Sequence, residues 1–249
     1  MSALALLSVL LPLGLAAPAA LVRGGPWRRL LPVFAPLPAF ILALTAPDGP
    51  ALTLPPVLLG VDLGLDPVRR PFLLLIALLW TLAAVYAAGY MKEGPRAGRF
   101  AVFFLLTMTG NLGLVMSLDV PAFYFFFALM TLSSFILVIH DGTASAFRAG
   151  TVYIILSVLG ETMLLLGLLK ACAAAGSLQM ARIPDAIAAD PLTVGLLTAG
   201  FAVKAGQVPL HVWLPLAHPA AAPPPAAGGL RGRKKAGRRW HGPVPARGA

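Results

Sequence analysis

Apolar residues in this chain run in long, nearly uncharged blocks, without the alternation of polar and apolar positions that marks half-buried elements. A membrane span needs about 20 mostly apolar residues. Seven blocks meet or approach that length: Ser2–Val22, Leu30–Ala46, Pro71–Met91, Phe100–Leu118, Pro121–His140, Gly150–Cys172 and Pro191–Gly206. The second is short and carries Pro32, Pro36 and Pro38, each of which removes a helix hydrogen bond. The last runs into Pro209 and Pro215, so a break is expected near Pro209. Between the second and third blocks, residues 47–70 are too polar and too rich in Gly and Pro to span. Weak strand character over Thr53–Leu65 predicts a hairpin or an irregular cover on the outer face. The predicted fold is all-α, a polytopic bundle of about seven transmembrane helices.

Composition agrees with the pattern. The chain is 59% hydrophobic and 11% charged, against about 25% charged for soluble domains. Its formal charge of +10 is unevenly placed. Seven of the basic residues, from Arg231 to Arg247, lie at the C-terminal end with no acid among them, and the rest of the chain nets +3. Residues 223–249 read as a basic Pro/Gly-rich disordered tail, and residues 1–222 as the membrane domain. The single Cys172 leaves no disulfide framework and reads as a small packing residue. The first apolar block lacks the positive start of a secretory signal, so it reads as a first span, with a cleaved signal as the alternative. Arg23, Arg28, Arg29, Lys92, Arg96, Arg99 and Arg148 fall on one set of loops and most acids on the other. This predicts an N-terminus outside and a cytoplasmic tail. Trp80, Tyr86 and Tyr90 are candidate interface anchors.

Within the apolar blocks a few residues are chemically out of place. Lys204 is the one base near the end of the last block, and a lysine at bilayer depth costs about 2.5–3.5 kcal/mol on insertion scales. Glu161 lies well inside the sixth block, and the two are natural partners. The pair reads either as a charge relay or as a structural ion pair that only fixes helix packing. His211 and His218 flank the proline-interrupted stretch seven residues apart, one helical face if the helix were continuous. They read as proton carriers or as hydrogen-bonded structural histidines. No metal site is expected, because no Cys, Asp or Glu lies near them in sequence. His140-Asp141 is a further relay candidate at the end of a span. Thr107, Thr109, Asn111 and Ser117 give the fourth block a polar side, while Gly110 and Gly113 would allow close helix approach. Phe123–Phe127 reads as a lipid or helix contact surface. Nucleotide loops, flavin fingerprints, iron–sulfur spacings and haem motifs are absent, so no cofactor is expected.

Two stretches carry a family resemblance. One is Phe123–Gly167, including Ala128-Leu-Met-Thr-Leu-Ser-Ser-Phe and Arg148-Ala-Gly-Thr-Val-Tyr153. The other is Gly200–Pro219, including Lys204-Ala-Gly-Gln-Val-Pro-Leu-His-Val-Trp-Leu-Pro215. They resemble the antiporter-like proton-pumping subunits of complex I, of membrane-bound hydrogenases of the hydrogenase-4 component B type, and of Mrp sodium/proton antiporters. The resemblance implies a helical bundle of about fourteen spans with broken helices, in which a lysine on a broken helix pairs with a glutamate on a preceding one. Lys204 matches that lysine. The position of the glutamate is occupied by Ala128, and Glu161, one helix later, is the acid that chemistry offers instead. The resemblance ends near Pro225, where the family continues into another apolar helix, so the chain reads as C-terminally truncated.

The expected function is that of a membrane subunit of a proton-translocating respiratory or hydrogenase complex in a bacterial inner membrane, with no redox or hydrolytic site of its own. Its proton-relay residues would be Lys204, Glu161, His211 and His218. Its partners would be other membrane subunits, lipid, and protons or sodium, with no nucleic acid. A non-transporting structural or assembly subunit, or an inactive fragment, is the alternative. A third reading gives the polybasic tail its own attraction to anionic lipid or RNA.

Overall fold

The computed structural model describes residues 2–21, 27–54, 60–90 and 95–220, without the side chains of residues 27–29, 90, 95, 96 and 217–220. The expected tail, Arg23 and Lys92, and the side chains of Arg28, Arg29 and Arg96, on which the orientation argument leans, lie outside what is described.

Helices dominate. In order they are α1 (Ser2–Leu21), α2 (Trp27–Phe34), α3 (Leu37–Thr45), α4 (Arg69–Tyr90), α5 (Pro95–Met116), α6 (Val120–Val138), α7 (Ala144–Ala175), α8 (Ile183–Ile187), α9 (Pro191–Ala205) and α10 (Trp213–Ala220). Five of them, α1 and α4 to α7, are long and apolar enough to cross a membrane. The predicted second span is split into α2 and α3 by a turn at Ala35-Pro36. Pro36 cannot donate the bond that would join them, and Pro38 sits harmlessly in the first turn of α3. The sixth predicted span is longer than expected: α7 runs for 32 residues and takes in the polar stretch Ser145–Arg148. Thr143 caps its start, accepting a hydrogen bond from the Ala146 amide at 3.1 Å, and left-handed Gly176 ends it.

Two strands within residues 47–70 make the expected hairpin. Strand β1 (Gly49–Leu54) pairs antiparallel with β2 (Val61–Leu65), with an irregularity between Pro50 and Leu52. The hairpin is tied to the α5–α6 connection. The Leu118 amide donates to the Asp62 carbonyl at 2.8 Å, and the Met180 amide donates to the Leu118 carbonyl at 2.9 Å. Asp119 completes the join. One carboxylate oxygen caps α6 through the Ala122 amide at 2.7 Å, and the other accepts from the Asp62 amide at 2.5 Å. Burial raises the Asp119 pKa above the ordinary carboxylate value, and the neighbouring Asp62 charge adds to the rise against the amide bonds that oppose it.

Small residues set the closest helix contacts. A Cβ at Gly110 on α5 would lie 2.7 Å from the Met130 backbone nitrogen on α6. Of the polar residues expected to line α5, Thr107, Thr109 and Ser117 each donate to the carbonyl four residues back. Phe123, Phe126 and Phe127 are buried, which makes the expected helix contact, while Phe125 is exposed. Trp80 packs edge-on against Phe104, ring centroids 4.9 Å apart.

Candidate functional site

Helices α7 and α9 carry the two charged residues that the sequence singles out. A Cβ at Gly160 would lie 2.8 Å from the Val203 Cβ, and one at Gly167 would lie 2.8 Å from Leu197 Cδ2. Only glycine permits this approach, and Glu161 and Lys204 are the next residues along their helices. Lys204 Nζ consequently lies 3.6 Å from Glu161 Oε1, with side-chain exposures of 19% and 11%. Glu161 Oε1 is buried without a hydrogen-bond partner among the described residues, so the lysine charge is its compensation.

The ammonium has other neighbours. It donates to the Thr131 hydroxyl on α6, which itself donates to the Phe127 carbonyl at 3.0 Å. The Phe127 and Tyr153 rings lie 4.8 and 5.8 Å from Nζ, close enough to stabilise a cation through their π faces. The Tyr153 hydroxyl points to the Thr131 carbonyl at 3.5 Å. The lysine thus sits among three helices, with an acid on one side and a hydroxyl and two rings on the others.

The break falls where expected. α9 ends at Ala205, and Gly206 adopts a left-handed conformation with φ 66°. Pro209 then opens a short 3-10 turn, Leu210–Val212, that leads into α10. Pro215 was expected to interrupt the backbone as well. It lies in the first turn of α10, where the missing amide leaves no intrahelical bond unmade, so the break belongs to Gly206–Pro209 alone. His211 lies exposed in the 3-10 turn, and the His218 side chain lies outside what is described. His140 is buried, with its ring 5.4 Å from that of Phe100 and its carbonyl accepting from Arg99 Nη2 at 3.0 Å.

The sequence reading missed Thr131, Phe127 and Tyr153 as neighbours of the lysine. Signals for two of them existed. Thr131 is one turn beyond Ala128 on the same face, and Tyr153 is two turns before Glu161. Ala128 carries no acid, so the acid side of the pair comes from Glu161 on α7.

These features define a polytopic helical membrane protein with a lysine–glutamate pair buried beside a broken helix. Residues 117–227 match the family model described as NADH:quinone oxidoreductase/Mrp antiporter, TM. The chain is 32% identical to hydrogenase-4 component B of Escherichia coli (strain K12) over 171 residues, 65% of this chain and 25% of that protein. It is 29% identical to NADH-quinone oxidoreductase subunit N of Desulforudis audaxviator (strain MP104C) over 208 residues, 80% of this chain and 37% of that one. The Mrp complex of Dietzia sp. DQ12-45-1b contains a chain that superposes with a TM-score of 0.70 at 26% identity, covering 88% of this chain and 44% of its own. The chain is therefore homologous to antiporter-like membrane subunits of complex I, hydrogenase-4 and Mrp assemblies. It spans about a quarter of the length of the first curated relatives that it matches.

Proposed function

We propose that this chain is a membrane subunit of a proton-translocating complex of the respiratory or hydrogenase kind, and that Lys204 and Glu161 take part in moving the ion. The observation that carries the reading is the 3.6 Å pair beside the break at Gly206–Pro209. An ion pair held deep in an apolar bundle is sensitive to any charge that arrives nearby. A helix break supplies free backbone groups at the same depth. His211 and His218 extend the relay along the segment after the break. Residues 1–222 form the membrane unit and 223–249 a basic tail. Loop charges support an N-terminus outside and a cytoplasmic C-terminus in a bacterial inner membrane. The complex supplies the redox energy from other subunits, and the ion is the proton, with sodium as the alternative.

The test is proton translocation by sealed vesicles carrying the assembled complex. Lys204→Ala should abolish pumping while electron transfer stays measurable, and pumping at the wild-type rate overturns the proposal. A second reading, a non-transporting structural subunit, draws on Ala128, the position where the resemblance places an acid. Ala128→Glu separates the two: a gain in flux supports transport, and no change supports a scaffold.

A further inference from the structure

The helix break leaves backbone carbonyls at the end of α9 without the amides that a continuous helix would bring. The Val203 carbonyl has two donors: the Gly206 amide at 3.2 Å, and the indole Nε1 of Trp213 at 2.9 Å, reaching back across the break. Trp213 is the first residue of α10, so this bond joins the two limbs of the broken helix. Its ring also meets Tyr153 edge-on, with centroids 5.4 Å apart, and packs against buried Val138 and Ala149 on α6 and α7. Both contacts lead to the lysine. Val203 precedes Lys204 and presses on Gly160, which precedes Glu161. Tyr153 faces the lysine with its ring and the Thr131 carbonyl with its hydroxyl.

We infer that Trp213 is a positioning residue for the charged pair, acting through the Val203 carbonyl and the Tyr153 ring. The Gln207 amide, which a continuous helix would aim at the Val203 carbonyl, donates to the Ala202 carbonyl instead at 3.0 Å; the indole N–H takes its place, and this holds the end of α9 at a fixed height against α7. The ring keeps Tyr153 turned toward the ammonium. The inference rests on the proposed role of Lys204 for its functional meaning. Its test reads the lysine environment directly, so the two can fail separately.

The experiment uses the full chain in lipid nanodiscs and measures acylation of Lys204 by a small amine-reactive ester across pH, located by peptide mass mapping. Trp213→Phe keeps a ring and deletes the N–H. It should raise the Lys204 acylation rate by about tenfold and displace its pH profile, while Lys170 is unaffected. A tryptophan analogue with sulfur in place of the indole N–H should do the same, and 5-fluorotryptophan, which keeps the N–H, should restore the wild-type rate. Rates within twofold of wild type for Trp213→Phe overturn the inference. Should the variants not fold, the indole proton of Trp213 in the unmodified chain decides. Solvent exchange at least tenfold slower than that of free indole supports the bond, and exchange at the free rate overturns it. Proton flux in vesicles reports separately on Lys204.

Discussion

Gly200 and Gly160 bring α9 and α7 into backbone contact: a Cβ on Gly200 would lie 2.8 Å from the Gly160 carbonyl oxygen and 3.0 Å from the Leu164 amide nitrogen. Neither atom can swing aside as a flexible side chain would. Gly200→Ala should therefore push the helices apart and destabilise the bundle by about 1–3 kcal/mol. Thermal unfolding in detergent, followed by circular dichroism, measures the loss. Gly195→Ala, on the same helix with open space around it, serves as the control and should be neutral or better.

Removing one member of the Lys204–Glu161 pair should be worse than removing both. Lys204→Met alone leaves the Glu161 carboxylate buried and uncompensated, which costs about 3–5 kcal/mol. Adding Glu161→Gln should recover most of that. A double-mutant cycle on denaturation midpoints reads the coupling, and strictly additive losses would show that the two groups do not interact.

Thr131→Val keeps the shape and deletes the hydroxyl that accepts from the lysine. The lost hydrogen bond to a charged group is worth about 1.5–3 kcal/mol. Thr131→Ser should retain most of it. Equal unfolding temperatures for the valine and serine variants would exclude a contribution from the hydroxyl.

Asp119 and Asp190 should respond to acid in opposite senses. Burial first, and then the Asp62 charge, raise the Asp119 pKa, so the folded chain binds that proton more tightly than the unfolded chain does. Its ionised form therefore burdens the fold above the raised value, and the burden eases as pH falls through that value toward 3.8. For Asp190, the hydrogen bond from Lys170 and those from Thr193 hold the carboxyl well below its usual range. Its contribution is complete above 3.8 and is lost only as pH falls through the lowered value. Unfolding temperatures recorded from pH 7 to pH 3 check this. Relative to wild type, Asp119→Asn should lose ground as the solution is acidified. Asp190→Asn should differ from wild type by a constant amount down to about pH 4 and keep most of that difference at pH 3, narrowing only below 3.8.

Lys204 and Glu161 were legible in the sequence because an ionised group inside an apolar run has few ways to be tolerated, and each is the natural answer to the other. The break was legible because glycine and proline act locally. Thr131 was legible only as a position on the Ala128 face, because a buried threonine bonded to its own helix looks the same in sequence whether or not a lysine arrives from elsewhere. The Trp213 bond was hidden too, since it depends on how the chain turns between Gly206 and Leu210. The hairpin showed only as weak strand character because its partners at 117–119 and 178–180 are distant in sequence. The extent of α7 was underestimated for a different reason. Ser145 and Arg148 are polar enough to resemble a loop, yet the Thr143 cap and continuous intrahelical bonding carry the helix through them.

That extended helix also sets a spacing. Arg148 and Lys170 stand 22 residues apart on α7, about 33 Å at 1.5 Å per residue, close to the thickness of a hydrocarbon slab. Two long basic stems so placed can reach opposite headgroup layers. Nine residues, about 14 Å, then separate Glu161 from Lys170. Thirteen residues, about 20 Å, separate it from Arg148, so the acid stands about 3 Å from the midpoint between the two basic residues.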